Sequence, residues 1–170
     1  MFLDNEEEIF NQWNDVKKRT QEKTVTAYFR EREIYWANLG KNIGYEQNGK
    51  GEDFMRPLLI FRKYNNKLFC GIPLSTTIRE GSFFYNFDFL DDKTSSALLV
   101  QAKTFDVKRL DRKIGTINMD DFEKLELKFK KLMKFWFSSL TWSKRVVPKE
   151  NCKSIVSYND SVSQIVEWLL

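Results

Sequence analysis

Residues 40–78, GKNIGYEQNGKGEDFMRPLLIFRKYNNKLFCGIPLSTTI, decide how the rest of the chain is read. A polar loop punctuated by Gly44, Gly49 and Gly51 leads into Met55-Arg56-Pro57 and the apolar run Leu58-Leu59-Ile60-Phe61. That run is too short for a helix and is bounded by turn residues, which predicts a buried strand with a mobile loop at its mouth. After the Asn65-Asn66 turn the chain returns as Leu68-Phe69-Cys70-Gly71-Ile72-Pro73-Leu74 and ends on three hydroxyls, Ser75, Thr76 and Thr77. Arg56, at the head of one strand, is thereby expected to face the hydroxyls that end its hairpin partner.

Working outward, the 170 residues suffice for one core plus accessory helices. Apolar residues make up 42% and aromatics 15% against 31% charged, the balance of a globular chain rather than a disordered one. A net charge of +4 and a pI near 9.0 are compatible with an anionic partner without requiring one. No run of 18 apolar residues occurs, and the N-terminal stretch MFLDNEEEIF is acidic where a secretory leader would be basic, so a soluble cytoplasmic protein without a membrane partner is expected. Cys70 and Cys152 stand far apart and read as plain thiols. There is no histidine. Histidine acid/base pairs, Ser/His and Cys/His nucleophiles and histidine-containing zinc sites are therefore excluded, and chemistry must come from Arg, Lys, carboxylates, hydroxyls or a carboxylate-bound metal.

In chain order, Ile9, Phe10, Trp13 and Val16 recur at helical spacing within Asp4–Gln21, with Asp4 and Glu7 placed as a capping box and Trp13 as a packing anchor. Residues 22–29 read as a linker or edge strand. Glu33–Leu39 reads as a half-buried strand with Ile34, Trp36 and Leu39 on one side. Phe83–Phe89 and Ser96–Val100 are further strands, the second continuing or bulging into 101–106, and the spacing of these short strands indicates a small barrel or sandwich. Beyond Leu110 a helical period takes over. Asn118 or Asp120 caps a stripe of Phe122, Leu125, Phe129, Leu132, Met133 and Trp136, beside a lysine-rich solvated face. Residues 138–153 read as irregular, and Ser161–Leu170 as a closing helix with its own capping box. The division is a helical extension (1–30), a barrel domain (31–136) and a C-terminal extension (137–170).

Five segments in order, Arg32-Glu33-Ile34-Tyr35-Trp36-Ala37-Asn38-Leu39, Gly44-Tyr45-Glu46-Gln47, Arg56-Pro57-Leu58-Leu59-Ile60, Ile72-Pro73-Leu74-Ser75-Thr76 and Leu98–Asp106 with Arg109-Leu110, resemble the PemK/MazF toxin family. The resemblance implies a mainly β, α+β fold: an SH3-like barrel with a C-terminal helix, here with added terminal helices. It also implies a homodimer, a cognate antitoxin as partner, and sequence-specific, metal-independent, cofactor-free cleavage of single-stranded RNA. Arg56 matches the family's catalytic arginine, Ser75 its catalytic threonine with Thr76 as a substitute, Glu46 an acidic loop residue and Gln101 a glutamine. Lys103 stands where an arginine is usual, keeping the charge and losing the bidentate fork. Lys50, Gln47, Thr77, Gln101, Lys103 and Arg109 are the expected RNA contacts.

The chemistry stands beside the resemblance. RNA is cut by its own 2′-hydroxyl, so a protein need supply geometry, charge stabilisation and proton handling: Arg56 for the phosphorane oxygens, Ser75 or Thr76 as donor, Glu46 as base if its environment raises its pKa. Against this stand blander roles: a salt bridge from Arg56 to Glu46 or Asp53, and strand-end hydrogen bonds for Ser75–Thr77. Two other functions share the pattern, a non-catalytic toxin resembling the gyrase poisons, and a plain RNA-binding barrel stacking bases on Tyr35, Tyr45, Phe54 and Tyr85.

Overall fold

The hairpin of residues 55–75 forms as read, with β2 (Met55–Lys63) antiparallel to β3 (Leu68–Ser75) and Leu58 opposite Pro73. The computed structural model describes residues 2–24, 28–90 and 93–140. Around the hairpin lie α1 (Phe2–Glu22), β1 (Glu33–Asn38), β4 (Phe84–Leu90), β5 (Lys93–Leu98), β6 (Lys103–Asp106), β7 (Leu110–Thr116) and α2 (Met119–Leu140). The sheet runs β4-β5-β3-β2-β1-β7. One edge of β3 is shared: Leu68–Gly71 pair with β6, and Leu74 and Ser75 pair with β5. The two partners are separated by a 3-10 turn, Leu99–Gln101. A single strand through Val100 is thus replaced by a strand that stops at Leu98 and resumes at Lys103, because the turn buries Leu99 and lets the sheet bend sharply. Among the described residues no ladder joins β4 to β7, although Phe89 packs across onto Gly115, so the predicted barrel is an open, coiled antiparallel sheet.

Coiling buries both faces of the central strands. Adjacent residues Leu58 and Leu59 enter opposite clusters, the first with Tyr35, Phe69 and Phe105, the second with Ile34, Ile72 and Leu125. Each fully buried aliphatic side chain contributes about 1.5–3 kcal/mol. The same geometry corrects the half-buried reading of β1: Leu39 lies with Tyr35 and Ala37, opposite Ile34. Strand β7 was invisible to periodicity, since Asp111, Arg112 and Lys113 are exposed in succession and its pairing with β1 carries register shifts.

Both helices pack through the expected stripes. Asn118 caps α2: its Oδ1 accepts from the Asp121 N–H at 2.8 Å and its Nδ2 donates to Asp121 Oδ2 at 2.7 Å, a cap that contributes about 1 kcal/mol. Phe122 and Leu125 are buried and Phe129 and Leu132 partly so, whereas Met133 is exposed. Helix α1 starts at Phe2, so Asp4 lies inside it rather than at a cap. Trp13 and Val16 form a small third cluster with Phe54, while Phe10 is exposed. Residues 28–30 form no strand. Through Met133 the chain is one compact unit, α1 included. The helix reaches Leu140, beyond where irregular chain was expected to begin; the Trp136 side chain, Cys152 and the expected helix Ser161–Leu170 lie outside the described residues.

Candidate active site

Arg56 is held where β2 leaves the loop, next to the end of β3. Its Nε donates to the Asn48 carbonyl at 2.7 Å and its Nη1 to the Leu74 carbonyl at 3.1 Å, with the residue only 9% exposed. Burial pushes its pKa down and the nearby Arg79 cation adds to the effect. An arginine so displaced is still cationic at neutral pH. The expected structural partners are engaged elsewhere: Asp53 accepts from Arg19 at 3.2 Å, and the Glu46 carboxylate lies 3.7 Å from the Lys103 ammonium. Arg56 therefore has no ion pair among the described residues. No buried side-chain nitrogen or oxygen there lacks a partner, so its remaining donors are solvated. A partly buried guanidinium fixed by two carbonyls, with donors left over and no counter-charge among the described residues, favours an incoming anion.

Ser75 ends β3 and is half-buried. Its Oγ accepts from the Thr77 N–H at 3.2 Å, which leaves the hydroxyl proton available to donate. Arg56, Ser75 and Thr76 line one cleft of about 1150 Å³. Its floor and rim include Trp36, Pro57, Leu74, Ile78, Phe89 and Ile114, with further hydroxyls from Thr94 and Ser95. Five cationic side chains line it, Arg19, Lys23, Lys50, Arg56 and Arg112, against two carboxylates, Asp53 and Asp111. The surplus of positive charge beside aromatic surface suits a single-stranded nucleic acid, whose phosphates and bases need those two features.

The other sequence-named residues are placed differently. Gln101 clasps the loop, its Oε1 accepting from the Gln47 N–H at 3.1 Å and its Nε2 donating to the Tyr45 carbonyl at 3.3 Å. Lys103 reaches Asn42 Oδ1 at 3.5 Å as well as Glu46. Glu46, Gln47, Gln101 and Lys103 thus brace the loop as a group outside the cleft lining, and Thr77 is outside it too. The loop expected to be mobile is also crossed by Gly49 N–H to Gly40 O at 2.8 Å and Asn42 N–H to Asn48 Oδ1 at 2.6 Å. Arg109 donates to the Asn38 carbonyl at 2.9 Å and lies 5.5 Å from the Trp13 ring. Burial lowers its pKa, partly offset by Asp106. Of the aromatics named for stacking, Tyr35 and Phe54 are core, Tyr85 donates to Asp121 at 2.8 Å, and only Tyr45 is fully exposed.

The cleft residues missed from sequence are Arg19, Lys23, Arg112 and Asp111, together with Asn38, whose Nδ2 donates to the Asp53 carbonyl at 2.8 Å and whose Oδ1 accepts from Lys23 at 3.3 Å; Asp53 was expected only as a partner of Arg56. Arg112 and Asp111 were out of reach because β7 was not seen. A signal did exist for the helix: Val16, Arg19, Thr20 and Lys23 follow the i, i+3, i+4, i+7 pattern of one face.

The fold is similar to that of a solved MazF. MazF (Form-I) from Deinococcus radiodurans superposes with a TM-score of 0.51 at 16% identity, covering 64% of this chain and 99% of that one. Mycobacterium tuberculosis toxin MazF-mt6 gives 0.48 at 20% identity over 61% and 97%. An endoribonuclease in complex with its cognate antitoxin from Mycobacterial species gives 0.49 at 15% over 63% and 96%. The family described as PemK-like, MazF-like toxin of type II toxin-antitoxin system matches residues 30–133, more than half of the chain, and this protein belongs to it. No curated protein matches the chain. Helix α1 precedes the matched segment.

Proposed function

We propose that this toxin is an endoribonuclease that cuts single-stranded RNA, mRNA included, in the cleft at Arg56. The observation that carries the reading is the buried Arg56 guanidinium, without a carboxylate partner among the described residues and sharing a cleft with Ser75 and Thr76. The substrate's 2′-oxygen loses its proton and forms a bond to the adjacent phosphorus, and the bond from phosphorus to the 5′-oxygen breaks as that oxygen takes a proton from solvent, leaving a cyclic 2′,3′-phosphate and a 5′-hydroxyl. Arg56 neutralises the charge that gathers on the non-bridging oxygens, and Ser75 donates a hydrogen bond to one of them. Glu46 is engaged by Lys103 outside the cleft. Asp111, a carboxylate that lines the cleft and has no ion pair among the described residues, is the group we assign to take the 2′-proton.

A cognate antitoxin, a homodimeric state and a cytoplasmic location belong to the same reading. The toxin-antitoxin family and the mycobacterial relative solved with its antitoxin support the first. The test is incubation with a mixed single-stranded RNA in excess EDTA. Discrete fragments bearing new 5′-hydroxyl ends support the proposal. Retention of RNA without scission would make the protein a binder, and neither binding nor scission would point to a protein target.

A further inference from the structure

We propose that α1, which lies outside the family segment, is a wall of the RNA cleft and that Arg19 and Lys23 form a phosphate-binding subsite at its C-terminal end. The inference rests on the cleft being an RNA site, and extends that site beyond the sheet. Val16, Arg19 and Thr20 of the helix, and Lys23 just past its end, line the same cleft as Arg56 and Ser75. Arg19 lies in the last turn of α1 and Lys23 directly follows its final residue, Glu22, with its N–H on the Thr20 carbonyl at 3.3 Å, so both cations border the cleft at the C-terminal end of the helix. Two successive cations on a line suit an extended polyanion better than a single small anion.

The wall is fixed rather than loosely attached. The Trp13 ring meets Phe54 edge-on at 5.5 Å, lies 5.5 Å from the Arg109 guanidinium, and abuts Gly40. Val16 is 3% exposed, Lys41 pairs with Glu6 at 3.2 Å, and the Lys108 ammonium donates to the Gln21 carbonyl. Such anchoring holds the helical cations in place before a ligand arrives, which lowers the entropic cost of binding it. Neither cation is committed to another role. Among the described residues Lys23 has only the neutral Asn38 Oδ1 as side-chain partner, and the Arg19–Asp53 pair joins side chains that are 67% and 59% exposed, an interaction of small net strength. A phosphate can therefore take either one at little loss. Lys17 and Lys18 belong to the same helix without lining the cleft, and Lys18 pairs with Asp15 instead. They separate local contact from mere positive charge.

The experiment is equilibrium binding of a fluorescent 2′-O-methyl RNA 20-mer of mixed sequence, which lacks the attacking hydroxyl, to the full chain over a range of salt concentrations. Wild type is compared with Arg19→Gln/Lys23→Gln and Lys17→Gln/Lys18→Gln, each checked for an unchanged melting temperature. Losing two phosphate contacts lowers the salt slope by about 1.4, which is about 25-fold in affinity at 0.1 M salt relative to 1 M. The Lys17/Lys18 pair should change affinity less than threefold. Equal affinity of Arg19→Gln/Lys23→Gln and wild type would overturn the subsite, as would an equal loss in the Lys17/Lys18 control. If wild type cleaves RNA in EDTA while the Arg19/Lys23 variant binds normally, the subsite alone falls. If wild type neither binds nor cleaves, the RNA reading falls and the subsite with it.

Discussion

Substituting Gly40 by alanine should detach α1 from the domain without unfolding the sheet. Gly40 has φ of +100°, and a Cβ there would sit 2.4 Å from Trp13 Cζ2 and 2.5 Å from Cε2. The backbone strain alone costs about 1–3 kcal/mol. The ring cannot retreat from the overlap without breaking its contacts with Phe54 and Arg109. Trp13 belongs to a cluster with Val16 and Phe54 that is separate from the two sheet clusters, so expelling it sacrifices only the docking of α1. With a penalty of about 3 kcal/mol, amides of α1 should lose protection from hydrogen exchange by about a hundredfold, while those of β2 and β3 change little. Gly44→Ala is the control: φ is +56° but no atom lies within 4 Å of the added methyl, so it carries strain without collision. Unaltered exchange across α1 in Gly40→Ala would refute the anchoring described for Trp13. Release of α1 also takes Arg19 and Lys23 from the cleft, so RNA affinity should fall in parallel.

The remaining expectations concern the site and the fold. Ser75→Ala should slow cleavage about a hundredfold and Ser75→Thr should preserve it, with Thr76→Ala mild; the reverse ranking in single-turnover rates would hand the donor role to Thr76. Glu46→Gln should reduce the rate less than threefold, because Glu46 faces Lys103 rather than the cleft, and a loss above tenfold would restore it as the base. Glu33 is subject to burial, which raises its pKa, but hydrogen bonds from Lys113 at 2.7 Å, the Arg30 N–H at 2.9 Å and Tyr35 at 3.1 Å outweigh this and its pKa is lowered overall. A depressed carboxylate contributes stability that is complete above its unfolded value and vanishes as pH falls through its folded value. Glu33→Gln should therefore flatten the acid limb of a stability–pH curve, and an unchanged limb in urea titrations would show the cluster to be inconsequential.

The hairpin and the Arg56/Ser75 neighbourhood were legible because strand pairing alone brings the start of β2 beside the end of β3. The packing role of Trp13 was legible from helical spacing, though not which wall α1 would build. Other features were hidden for physical reasons. A coiled sheet buries successive residues such as Leu58 and Leu59 on opposite faces, which erases the alternation that distinguishes inside from outside. Three exposed residues in a row masked β7 and, with it, Asp111 and Arg112. Beyond Arg56 and Ser75, the residues matched by motif said little about place: Gln101 and Lys103 hold the loop, and Arg109 lies against Trp13, contacts that no spacing in the sequence encodes.

The central claim is that Arg56 stabilises the transition state of RNA cleavage. Its most direct test is the cleavage rate of Arg56→Ala on single-stranded RNA in excess EDTA, measured beside wild type at matched melting temperature. Removing one preorganised donor from such a site costs about 3–4 kcal/mol, a hundred- to thousandfold. Arg56→Lys should recover little, since an ammonium cannot hold the Asn48 and Leu74 carbonyls and still offer a planar fork to phosphate. The account predicts discrete fragments from wild type and a rate at least a hundredfold lower from Arg56→Ala. Wild-type cleavage by Arg56→Ala would contradict it.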